Sequence, residues 1–104
     1  MADVLRRVQA AARQRFLFLP HAIRQMSHPD RMISPEEVEK VVLGGEVIED
    51  YPSDPRGHSC LILGFGDNAL PVHVVCSPKD EYLAIITAYR PAADQWSGDF
   101  KRRL

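Results

Sequence analysis

Four β-prone runs, joined by connectors too short to hold a helix, constrain this chain most. Glu46 to Tyr51, His58 to Phe65, Leu70 to Cys76 and Tyr82 to Tyr89 are rich in aliphatic, β-branched and aromatic residues. Between them stand PSDPRG, GDNA and SPKDE, whose Pro, Gly, Asn and Asp are turn formers. Parallel neighbours need a crossover of about a dozen residues or more, so the four runs should pair in chain order as an antiparallel meander. Hairpins closing about GDNA and SPKDE would set Phe65 opposite Leu70 and Cys76 opposite Tyr82. On that register Leu61, Leu63, Phe65, Val72, Val74, Cys76, Ala84, Ile86 and Ala88 form an apolar face that receives helices. The opposite face carries His58, Cys60, Ile62, Gly64, His73, Val75, Leu83, Ile85, Thr87 and Tyr89.

Upstream the period becomes helical. Asp3 can cap a first helix whose apolar Val4, Leu5, Val8, Ala11 and Ala12 recur near 3.6 residues. Arg15 to Leu19 reads as a brief strand stopped by Pro20, which then opens a short helix over His21 to Met26. Ser34, Pro35 and Glu37 form a capping-box pattern ahead of the stripe Val38, Val41, Val42, and Gly44-Gly45 offers the positive φ that ends a helix. After Pro91, Trp96 and Phe100 stand four apart and predict one short C-terminal helix. The expected class is α+β. N-terminal helices pack on one face of a four- to five-stranded, mainly antiparallel sheet, in a single domain 1–104 with an N-terminal helix over 1–14 and a core over 15–100.

The composition fits that domain. With 104 residues, 45% of them hydrophobic and 26% charged, the chain can bury a modest core without staples. No apolar run approaches the roughly 20 residues of a membrane span, and the start lacks a continuous apolar signal region, so the expected place is the cytoplasm with no membrane contact. Cys60 and Cys76 are too few for a disulfide framework and read as free thiols. The net charge of −1 hides an asymmetry: residues 1–33 carry six Arg against two Asp, and residues 34–55 carry one Lys against seven acids. The basic third can make a local anion-binding face, and such runs also serve simply as solvated helix faces.

His73, mid-strand beside Thr87 and Tyr89, is the best internal evidence for a site, read either as a general acid or base or as a hydrogen-bonded, half-exposed histidine without a chemical role. His21 and Arg24, one helical turn apart, can point to one side of the second helix. A metal set of His58, Cys60 and His73, or a nucleophilic pair of Cys60 with His73 or His58, is an alternative that no ligand-spacing motif supports. No G-x-S-x-G, G-x-G-x-x-G or phosphate-loop motif is present, so neither a cofactor nor a metal is expected.

The set His21-Ala22, Met26, Ile33-Ser34, Glu36-Glu37-Val38, Val47-Ile48, Tyr51-Pro52, Arg56-Gly57-His58-Ser59-Cys60, His73-Val74-Val75 and Ile85-Ile86-Thr87-Ala88-Tyr89 closely resembles a bacterial family of small domains of unknown function. That family is similar, distantly, to the RelE/ParE superfamily of toxins with its BrnT-like and MqsR-like branches. The resemblance implies a RelE-like fold. It also implies an endoribonuclease of a type II toxin-antitoxin system, which cleaves mRNA, free or on the ribosome, by 2′-hydroxyl attack without a metal. An antitoxin partner, a small zinc-ribbon protein encoded nearby, would hold it inactive. On this reading His73 is the first general acid or base and Tyr89 a second proton-transfer or base-stacking group. His21, Arg24 and Arg56 contact phosphate or stabilise the transition state, with His58 and Thr87 beside them on the RNA path; Arg90 is given no role. A non-catalytic protein-binding module of the same fold is the alternative, and a small metal- or thiol-dependent enzyme the third reading.

Overall fold

The computed structural model of the chain describes residues 2–104. Its elements are α1 (Ala2–Gln14), β1 (Phe16–Phe18), α2 (Pro20–Met26), α3 (Pro35–Gly44), β2 (Glu46–Tyr51), β3 (Ser59–Phe65), a 3-10 turn (Asp67–Ala69), β4 (Pro71–Pro78) and β5 (Leu83–Tyr89). The α+β class stands, with β2 to β5 forming the antiparallel meander and β1 added in parallel beside β5, in the order β1-β5-β4-β3-β2. No helix among the described residues is long and apolar enough to cross a membrane.

The register differs from expectation by one residue between β3 and β4. Asn68 (φ 59°) and Ala69 (φ 57°) take left-handed conformations, and the turn closes with Gly66 N–H donating to Leu70 O at 2.9 Å. Phe65 therefore faces Pro71, and Leu63 faces His73. A one-residue slip turns a whole strand over. Cys60, Ile62 and Gly64 thus lie on the helix side with Val72 and Val74, while Leu61, Leu63 and Phe65 share the side of His73. A bulge between Val75 and Cys76 shifts the next pairing to Cys76 opposite Ile85 and Pro78 opposite Leu83. Leu83 and Ile85 accordingly join the core, and Thr87 and Tyr89 lie opposite Val75 and His73, where the expected register set Leu83 and Ile85.

All three helices contribute to one core. Val4 and Val8 of α1, Ala22 and Met26 of α2, and Val38, Val41 and Val42 of α3 pack on Cys60, Ile62, Val74 and Cys76. Because α1 already includes Ala2, Asp3 sits in its first turn, where its carboxylate meets the positive end of the helix dipole, and is not its cap. Gly45 ends α3 at φ −88°, so no left-handed residue is used there. Its need for glycine is close packing, since a Cβ would come within 2.5 Å of the carbonyl oxygens of Leu63 and Val41.

The C-terminal segment is not the expected helix. Trp96 bridges Arg103 in antiparallel fashion, and Ser97 N–H donates to Arg102 O at 2.8 Å. Asp99 Oδ1 accepts from the Ser97 hydroxyl at 2.6 Å and from Lys101 N–H at 3.1 Å, and Phe100 turns at φ 62°. Ser97-Gly98-Asp99 is turn chemistry that competes with a helix, and it folds the tail into a loop over the outer face of the sheet.

Candidate functional site

A cleft of about 580 Å³ opens where α2 meets the end of β5. Pro20 starts α2 and fixes its phase, burying Ala22 and Met26 and turning His21 outward. His21 and Gln25 form one wall, Thr87, Tyr89 and Arg90 the floor, and Arg31 and Trp96 close the sides. Arg31 donates to Gln25 Oε1 at 3.0 Å, which holds its guanidinium at the rim. The cleft offers two guanidiniums, an imidazole, a phenol and a hydroxyl, and no carboxylate among its lining residues. Such a set complements an anion and includes groups able to move protons.

Arg90 reaches the cleft under constraint. Its Nη2 donates to Glu37 Oε2 at 3.1 Å, and the same oxygen accepts from Asp67 N–H at 3.0 Å. Glu37 is 3% exposed, and these donors take the place of the water its carboxylate gives up. Only half of the expected capping box therefore forms: Ser34 Oγ accepts from Glu37 N–H at 3.0 Å, while the Glu37 carboxylate is taken by Arg90.

His73 stands behind the cleft, not in it. Its imidazole is fully buried, edge-on to Trp96 at 4.3 Å between ring centroids. Nε2 lies 2.9 Å from Phe100 O, and a carbonyl only accepts, so Nε2 carries the hydrogen and Nδ1 accepts from Tyr89 OH at 3.2 Å. Burial lowers the pKa of His73, against the Phe100 hydrogen bond that raises it, and burial raises that of Tyr89. Both groups are thereby held neutral, with the phenol as donor. The tail that covers His73 is fastened to β2. Arg103 grips Glu49 with two bonds of 2.9 and 3.0 Å, lies over the Trp96 ring at 4.7 Å, and holds the Glu49 carboxyl below its usual range. Tyr51, also bonded to Glu49, is pushed up to about 12, first by burial and then by that bond.

Of the residues singled out in the sequence, His21, Thr87 and Tyr89 converge on the cleft, and His73 supports Tyr89 from behind. Arg24 lies exposed on α2, outside the cleft lining. Arg56 and His58 sit at the opposite end of the sheet. Arg56 is clamped on Asp54 at 3.1 and 2.9 Å, and His58 bridges Asp50 at 2.5 Å and Arg7 at 3.0 Å. The His58, Cys60 and His73 metal set does not assemble, because Cys60 faces the helices and His73 the tail. Arg31, Gln25 and Arg90 were not anticipated; the available signal for Arg90 was its position directly after Tyr89 on a strand that ends at Pro91.

An α+β domain with helices on one face of a five-stranded mixed sheet, and a cationic cleft at the end of its β5 strand, is thus defined. The chain belongs to the family described as domain of unknown function DUF4258, which matches residues 18–90. Comparisons with curated proteins and with solved structures give no match. The family segment holds α2, α3, the whole meander and Arg90, and leaves α1 and the tail outside it.

Proposed function

We propose that the protein is a metal-independent endoribonuclease of the toxin type, acting on mRNA in the cytoplasm and held inactive by a protein antitoxin. The observation that carries this reading is the convergence of His21, Tyr89, Arg31 and Arg90 on one carboxylate-free cleft. His21 takes the proton of a ribose 2′-hydroxyl, and that oxygen attacks the adjacent phosphorus. The bond from phosphorus to the 5′-oxygen breaks, and the leaving oxygen takes the proton of Tyr89 OH, which turns from His73 Nδ1 to give it, yielding a 2′,3′-cyclic phosphate, a free 5′-hydroxyl and a phenolate at Tyr89. Arg31 faces the charge that gathers on the non-bridging oxygens, and Arg90, held by Glu37, lines the cleft beside it. His73 orients Tyr89. A non-catalytic binding module of the same fold is the second reading, favoured by the engagement of Tyr89 OH with buried His73.

The test is growth of a bacterial culture after controlled induction of the wild-type chain, His21→Ala and Tyr89→Phe at equal soluble levels. Arrest by wild type alone supports the catalytic reading. Arrest by all three supports target blockade by binding, and arrest by none contradicts the toxin assignment.

A further inference from the structure

The outer edge of β1 is open. Its inner side is used up: Leu83 N–H donates to Arg15 O at 2.7 Å and Leu19 N–H to Ile85 O at 3.0 Å, and Phe16 and Phe18 pair in parallel register with Leu83 and Ile85. Alternation then turns the N–H and C=O of Phe16 and Phe18 away from β5, where no backbone partner among the described residues meets them. Such an edge is a template for a further strand.

Beside it lies an apolar groove of about 320 Å³ walled by Phe18, Ile23, Met26, Ile33 and Pro35. Ile23 is 51% exposed and Met32 66% exposed, which is surface that a partner would cover. Arginines frame it in the chain: Arg15 precedes Phe16 and Arg24 follows Ile23. Both are exposed, and neither forms an ion pair with a carboxylate among the described residues.

We infer that β1 and this groove dock an extended, acidic segment of a partner protein, which adds as a sixth strand with apolar side chains in the groove and carboxylates on Arg15 and Arg24. Main-chain pairing would supply affinity, and the groove and charges specificity. RNA would satisfy the arginines and leave the amide edge and the aliphatic groove unused. A second copy of this chain would bring like charges together at the same edge. The inference stands apart from the chemistry of the cleft, since a strand can dock here whether or not RNA is cut there.

Selection of short random peptides displayed on phage against the full-length chain tests it. Enriched sequences should alternate Ile, Leu or Val with Asp or Glu. A synthetic peptide of the enriched sequence should slow amide hydrogen exchange at Phe16 and Phe18 about tenfold or more, with Leu17 little changed. Arg24→Glu and Ile23→Glu, both at exposed positions that leave the fold intact, should weaken its binding about tenfold each, and Arg102→Glu should not. No enrichment, enrichment without acidic residues, protection elsewhere on the sheet, displacement of the peptide by a short single-stranded RNA, or self-association through β1 in sedimentation would each overturn it.

Discussion

Glu37 and Arg90, 53 residues apart in the chain, meet at 3.1 Å and tie the first turn of α3 to the end of β5. Both are sheltered, with side-chain exposures of 2% for Glu37 and 24% for Arg90. The surroundings are shaped to this pair: a Cβ at Gly66 would run into the Glu37 carboxylate. Removing one partner strands the other's charge, so Glu37→Ala should cost about 3 kcal/mol in urea unfolding. A double-mutant cycle with Arg90→Ala should show coupling of about 1 kcal/mol or more. Strict additivity would mean that the two do not act together.

His73 makes stability depend on pH in a set direction. Burial holds its folded pKa below the ordinary 6.5, so the unfolded chain binds the proton more readily. The stabilisation is complete above about pH 6.5 and is lost as pH falls through the folded value. Urea midpoints measured between roughly pH 7 and pH 5 should fall more steeply for wild type than for His73→Gln, whose side chain does not titrate; parallel profiles would remove His73 as the cause.

Trp96 holds the tail down. At 4% exposure, packed on His73 and covered by Arg103, it should cost about 3 kcal/mol or more on replacement by Ala. Protease cleavage after Lys101, Arg102 and Arg103 should become faster in that variant. Unchanged cleavage would show that the tail is held by its ion pairs instead.

Arginines at the two ends of the sheet should separate in activity. Arg31→Ala, at the rim of the cleft, should lower RNA cleavage about a hundredfold. Arg56→Ala, whose guanidinium is already committed to Asp54, should stay within about twofold of wild type. Equal losses would place the RNA path along the whole sheet.

What the sequence reveals of this molecule follows the range of each signal. Turn residues and period are local, and they placed every strand and the three N-terminal helices within a few residues. Register is not local: Asn68 and Ala69 both turning left-handed inverted the faces of β3, and a bulge at Val75 and Cys76 moved Leu83 and Ile85 to the core face. Trp96 and Phe100 suggested a helix by spacing alone, while Ser97, Gly98 and Asp99 between them made a turn. The site was partly legible because His21, Thr87 and Tyr89 stand on elements whose direction alternation fixes. Glu37 was read only as a capping residue, because nothing in its neighbourhood in the chain points to a partner on a distant strand.

Purified chain incubated with a defined single-stranded RNA and excess chelator, with the ends of the products identified, decides whether the cleft cuts RNA. Cleavage should yield 2′,3′-cyclic phosphate and 5′-hydroxyl ends, be blocked by a 2′-deoxy sugar at the cut site, and fall by about a hundredfold or more in Tyr89→Phe. Absence of cleavage by folded wild-type protein, on free RNA and on ribosome-bound message alike, or equal cleavage by Tyr89→Phe, would contradict the catalytic reading.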